Sequence, residues 1–137
     1  MEFQVKANKA TLATRWAIAA CLALAAVPGS GARAQDAVAA DPAHYTVEFE
    51  NERVRVLRVV YGPHEKSVMH EHPDSVAVYL TDGHLRITLP DGRTGEPHVK
   101  AGQSMWHPAG AHLIENLGDG PFELVLTELK SAPAVVR

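Results

Sequence analysis

Leu85-Arg86-Ile87-Thr88-Leu89 alternates apolar and polar residues, and Asp82-Gly83 and Pro90-Asp91-Gly92 close it off at either end. That unit constrains the fold more than any other feature of the chain, because it recurs. Tyr45 to Phe49 and Arg53 to Val56 alternate in the same way. Val76 to Leu80 is a run of β-formers, and Glu96 to Lys100, Gln103 to Trp106, Ala111 to Glu115 and Phe122 to Leu129 complete the set. Ala101-Gly102 and Leu117-Gly118-Asp119-Gly120 are further turn signals: glycine takes positive φ and aspartate bonds its own backbone. Many short strands with period-two patterning and regular turns predict an all-β barrel or sandwich. No stretch after the first third of the chain carries a long helical period.

The first third reads differently. Lys6, Lys9 and Arg15 precede an apolar run from Trp16 to Val27, which Pro28, Gly29 and Ser30 interrupt. The run is too short to span a bilayer comfortably, and Ala32-Arg33-Ala34 fits a small-residue cleavage site. These parts predict a secretory signal peptide over 1–34 and a periplasmic or secreted protein with no membrane attachment after cleavage. Ile18-Ala19-Ala20-Cys21 resembles a lipidation box, but only five residues separate Arg15 from Cys21, too few for a working apolar segment. The expected layout continues with a disordered, Ala/Asp-rich linker over 35–44, a β-barrel over 45–130 and a C-terminal tail over 131–137.

Cleavage after Ala34 removes four basic residues and one acid from the 13 basic and 16 acidic residues, leaving a net charge of −6. Such a surface disfavours nucleic acid, whose binding rests on phosphate neutralisation. Cys21 is the single cysteine and departs with the leader, so the remainder depends on a packed core rather than on disulfides. All eight histidines lie after the leader.

His70 and His72 are separated by one residue, and in a strand residues two apart point to one side. Two neutral imidazoles on one face make a pincer for a metal, and a third from another strand would close it. An H-x-H alone is a weak signal and also fits two surface histidines at a strand end. The second segment, Gly102 to Asn116 (GQSMWHPAGAHLIEN), changes the weight.

Together the two segments resemble the paired motifs of the cupin superfamily. The first runs from Gly62 through His70-x-His72 to Gly83, with a lead-in two residues longer than usual. The second runs through Gly102, Pro108, Gly110, His112 and Asn116, with one residue missing before His112. FENERVRVLRVVYGPHEKSVMHEHPDS, LRITLPDGRT, WHPAGAHLIENLGD and LVLTELK also resemble small single-domain cupins of the β-alanine degradation protein type. The resemblance implies a double-stranded β-helix, or jelly-roll, barrel with His70, His72 and His112 as metal ligands. The usual fourth ligand, a glutamate, falls on Val76, which cannot bind a metal. Three answers stay open. A three-histidine site could leave positions for water or substrate, another carboxylate such as Asp74 could take over, or a histidine-lined pocket could function without metal.

Three neutral imidazoles leave a divalent ion its full charge, which favours an anionic substrate. Nitrogen ligation points to one divalent transition metal: iron, zinc, nickel, copper or manganese. The expected function is an exported metal-dependent enzyme acting on a small anionic organic molecule. Dioxygenase-like chemistry leads, by analogy of ligand set only. The alternative is a non-catalytic small-molecule binding module in the same pocket. A homodimer paired through the Tyr45 to Glu50 edge is a further expectation.

No catalytic residue is singled out, but the candidate substrate-pocket residues are Arg55, Arg58, Val76, Trp106 and His107. If Val54, Val56 and Val60 face inward, Arg58 does too; if Leu57, Val59 and Tyr61 face inward, Arg53 and Arg55 do. An inward arginine could clamp a carboxylate, whereas a solvated face is the plainer reading. Trp106 also reads as a rim aromatic, and His107 as a strand end before Pro108. His44, His64, His84 and His98 read as loop or surface residues, Glu115 as outward-facing and Asn116 as a turn anchor. No nucleophile frame or phosphate-cradling loop is present.

Overall fold

The computed structural model describes residues 34–131. The leader expected over 1–34 lies outside the described residues but for Ala34, as does all but Ser131 of the C-terminal tail. Two strands and a helical turn come first: β1 (Gln35–Asp36), α1 (Ala37–Ala40) and β2 (Tyr45–Glu50). Then come β3 (Val54–Tyr61), β4 (His70–His72), β5 (Ser75–Tyr79), β6 (Gly83–Thr88), β7 (Thr94–Gly95) and β8 (His98–Val99). The last three are β9 (Ser104–His107), β10 (Gly110–Asn116) and β11 (Phe122–Leu129).

These strands form two sheets. One has the order β1-β4-β10-β6-β7, with β8 also on β6; the other has the order β2-β3-β11-β5-β9. Strand partners are far apart in sequence: β4 pairs antiparallel with β10, and β11 lies between β3 and β5. The alternating residues of each strand supply the core. Leu57, Val59 and Tyr61 of β3, Ala77 and Tyr79 of β5, and Phe122 and Leu126 of β11 are buried from one sheet. Leu85 of β6, Val99 of β8 and Ile114 of β10 meet them from the other. The all-β double-stranded β-helix is therefore as the sequence implies.

Two turn residues carry local constraints. Gly102 has a φ of 84°, a conformation that only glycine adopts without cost. Gly83 lies so close to the buried Phe122 ring that a Cβ there would stand 2.6 Å from two ring carbons. Gly83→Ala is therefore expected to displace the ring and cost about 1–3 kcal/mol, as overpacking does, measured by chemical denaturation. Asn116 acts as the expected anchor: its Nδ2 donates to the Gly62 and Gly120 carbonyls and its Oδ1 accepts from the Gly118 amide.

The segment 35–44 departs from the linker expected there. Gln35 and Asp36 pair in parallel with His70 and Glu71, and Ala37 is fully buried. Asp36 caps α1 by accepting from the Val38 and Ala39 amides, and it also pairs with the Arg55 guanidinium. The order comes from these long-range partners rather than from any periodicity in the segment. His44 is likewise not a surface residue. Its ring stacks on Tyr61 at 4.5 Å and bridges Asp41 and Glu65.

Candidate metal centre

β4 and β10 lie side by side with His112 opposite His70 in register, and strand parity turns His72 to the same side. His70 and His72 are buried and His112 is half-buried. One ring nitrogen from each of the three lies within 4.8 Å of the others. The ring centroids are 4.8 Å (His70 to His72), 4.9 Å (His70 to His112) and 5.3 Å (His72 to His112) apart. Two distant segments thus bring together the three residues singled out in the sequence.

Hydrogen bonds settle how two of the rings are presented. His70 Nδ1 lies 2.8 Å from the Val68 carbonyl, which can only accept, so Nδ1 carries the proton and Nε2 the lone pair. His72 Nδ1 lies 2.5 Å from a carboxylate oxygen of Glu128, so the same tautomer follows. Pinning Nδ1 and leaving Nε2 basic is how proteins orient imidazole ligands. Burial lowers the basicity of His70 and, with the imidazoles of His70, His72 and His107 adding to the effect, pushes His112 down to about 3. A close-set nitrogen triad fits a divalent transition metal of the borderline class and does not fit magnesium or calcium.

The same burial predicts an acid response. A folded His112 stays neutral down to about pH 3, whereas the unfolded imidazole protonates near 6.5. Between those values unfolding takes up a proton, so stability falls as pH falls. Metal-free protein is expected to show a declining denaturation midpoint from pH 6.5 towards 3, and His112→Gln a shallower decline.

Tyr45 closes one side of the triad. Its hydroxyl donates to His70 Nε2 at 2.9 Å and accepts from Tyr61 at 2.6 Å. Burial raises the pKa of both phenols, so they remain neutral donors. Tyr45 therefore competes with a metal for the His70 lone pair. Tyr45→Phe is expected to tighten metal binding about fivefold and to cost about 1 kcal/mol of metal-free stability, one hydrogen bond in each case. Calorimetric titration and denaturation report the two effects separately.

Glu128 was not among the sequence candidates. It is buried, accepts from His72 Nδ1, and accepts from Arg55 Nε at 2.6 Å. Burial raises its proton affinity, but the bonds from His72 and Arg55 outweigh that and hold the carboxyl below the usual range. The signal was present in the strand: Glu128 follows Phe122, Leu124 and Leu126 at the inward parity of β11. It orients a ligand rather than replacing the missing one. Asp74, the other carboxylate considered, is exposed and accepts from the Ala109 amide.

A cavity of about 70 Å³ adjoins the triad, lined by His72 and His112 among others. Of the five candidate pocket residues, only His107 lines it. Val76 is flanked on β5 by the lining residues Ser75 and Ala77, so parity turns it to the other face, beside Thr127 and Trp106. Trp106 is 52% exposed for the same reason. Arg58 pairs with Glu48 and Glu123 on the outer surface. The inward register of Leu57, Val59 and Tyr61 does bring Arg55 in, but Glu128 and Asp36 occupy its guanidinium.

Residues 57–128 match the family model described as the cupin domain. This chain is a cupin. A cupin domain from Bordetella pertussis Tohama I has 30% sequence identity to it and a TM-score of 0.60, over 74% of this chain and 100% of that one. A protein with a double-stranded β-helix domain from Klebsiella pneumoniae has 22% identity and a TM-score of 0.51, over 65% and 78% of the two chains; that likeness shows the fold alone. No curated protein matches this cupin significantly.

Proposed function

We propose that this cupin holds one divalent transition metal on His70, His72 and His112 and uses it to act on a small organic anion. The observation that carries the reading is the convergence of three ring nitrogens within 4.8 Å, two of the rings held by hydrogen bonds at Nδ1. When bound, such an ion supplies a Lewis-acid or redox centre with coordination positions left for a ligand. The chain's own residues do the rest. Glu128 and the Val68 carbonyl fix two imidazoles, and Tyr45 and Tyr61 hold a proton next to His70. Leu126 and Phe122 give the adjoining cavity an apolar wall.

The group resembling the β-alanine degradation type supports a small amino or carboxylic acid as substrate class. The leader supports export. β2 is an outer strand of its sheet, and its residues after Tyr45 are exposed, which supports pairing of two copies there. No helix among the described residues is long and apolar enough to cross a membrane.

A binding module without turnover is the second reading. Among the described residues no aspartate, glutamate, lysine or arginine lines the cavity, so acid–base catalysis there would fall to His107 or a tyrosine. The deciding experiment is elemental analysis of the protein from its natural compartment, then assays of small carboxylic and amino acids with each metal restored. One bound equivalent with turnover supports the enzyme, and tight binding without turnover under any metal supports the module. A metal-free protein that takes up none of the five metals ends the metal reading.

A further inference from the structure

Ser75 is 1% exposed, and its Oγ is the one buried side-chain polar atom among the described residues without a hydrogen-bond partner in the protein. Buried hydroxyls are almost always bonded, and one left without a protein partner costs about 1–3 kcal/mol. The strand does not require a serine here. Ala77, the next residue on the same face, is apolar and equally buried. Ser75 lines the cavity with His72 and His112, beside His107 on β9 and Glu128 on β11. Both neighbours are engaged: His107 Nε2 with the Tyr79 hydroxyl at 3.3 Å, Glu128 with His72 and Arg55.

We propose that Ser75 is a ligand-binding residue, donating its hydroxyl proton to a compact, singly charged chelating molecule held between the triad and the apolar wall. This rests on the metal reading of the same site. Three features set the ligand class. The triad, carrying no charge of its own, leaves a bound cation in need of an anionic oxygen donor. The rest of the wall is mainly Leu85, Ile87, Phe122, Leu124 and Leu126 with three tyrosines, and among the described residues no lysine or arginine lines it, so a second negative charge finds no cationic partner. The volume, about 70 Å³, is far below the several hundred of a drug-sized pocket, so it suits a handful of non-hydrogen atoms and not a sugar or nucleotide. Ser75 supplies a buried, unengaged donor for a second oxygen of such a molecule.

Acetohydroxamate has this chemistry, and benzohydroxamate adds a ring to it. Both are titrated calorimetrically into wild-type protein and Ser75→Ala loaded with cobalt(II), and both proteins are also denatured without metal. Ser75→Ala is expected to bind one cobalt, to be at least as stable as wild type without metal, and to bind acetohydroxamate about five- to tenfold more weakly, the worth of one hydrogen bond. Wild type is expected to prefer acetohydroxamate over benzohydroxamate by more than about tenfold, despite the larger apolar surface of the latter. Unchanged acetohydroxamate affinity in Ser75→Ala, or a loss of its metal-free stability, overturns the role of Ser75. Equal binding of the two hydroxamates overturns the size limit. Failure of wild type to take up cobalt overturns the metal reading instead, and is seen before any hydroxamate is added.

Discussion

His70→Ala is expected to lower bound metal from one equivalent per chain to less than about a tenth after dialysis against micromolar metal, and His72→Ala and His112→Ala are expected to do the same. Complete structural zinc sites contribute roughly 10–16 kcal/mol in apparent binding energy. One ligand of three therefore carries several kcal/mol, and affinity falls on the order of a thousandfold. None of the three variants should unfold the metal-free barrel. His70 is fully buried, so its truncation costs packing, but all three variants leave the apolar cluster around Leu57, Tyr61 and Phe122 intact. His107→Ala is the control: it lines the same cavity but is not part of the nitrogen cluster, so it should keep its metal. Unchanged metal content in His70→Ala and His112→Ala would remove the ligand assignment, whatever His72→Ala does. Full retention in all four variants would place the metal elsewhere.

That the triad was legible follows from strand arithmetic. His70 and His72 had to share a face, and the motif spacing brought in His112. What parity could not settle was a run with apolar residues on both faces. β3 has Leu57, Val59 and Tyr61 on one side and Val54, Val56 and Val60 on the other, so the placement of Arg55 stayed open until the bulkier set proved buried. Val76 was placed by motif counting alone, although Pro73 and Asp74 separate β4 from β5 and reset the face; Ser75 and Ala77 point inward instead. The strap formed by β1 and α1 was illegible for a different reason. Its stabilising partner, Arg55, is 19 residues away, and Arg55 in turn depends on Glu128, a further 73 residues along. Glu128 itself could have been found, since a carboxylate at the inward parity of an apolar strand needs a partner.

Glu128→Gln is expected to be the most damaging single substitution outside the triad. The carboxylate accepts two charge-assisted or strongly polarised bonds, one per oxygen, from His72 Nδ1 and Arg55 Nε. A glutamine of the same shape has one acceptor and one donor, so one of those N–H groups is left facing an amide N–H. If Arg55 loses its partner, only Asp36 remains to it, and breaking such a buried pair costs about 3 kcal/mol or more. If His72 loses it, the ring is free to carry its proton on Nε2, the atom needed for a cation, and metal affinity falls roughly 10- to 100-fold. Denaturation without metal and calorimetric titration with it measure the two costs. The sign of the pH dependence follows from the depressed folded acidity of Glu128. Its contribution is complete above the unfolded value of 4.5 and disappears as pH falls through the lower folded value. Wild type and Glu128→Gln should therefore differ most at neutral pH and converge in acid. Equal stability of the two proteins at pH 7 would show that the carboxylate neither anchors Arg55 nor sets the tautomer of His72.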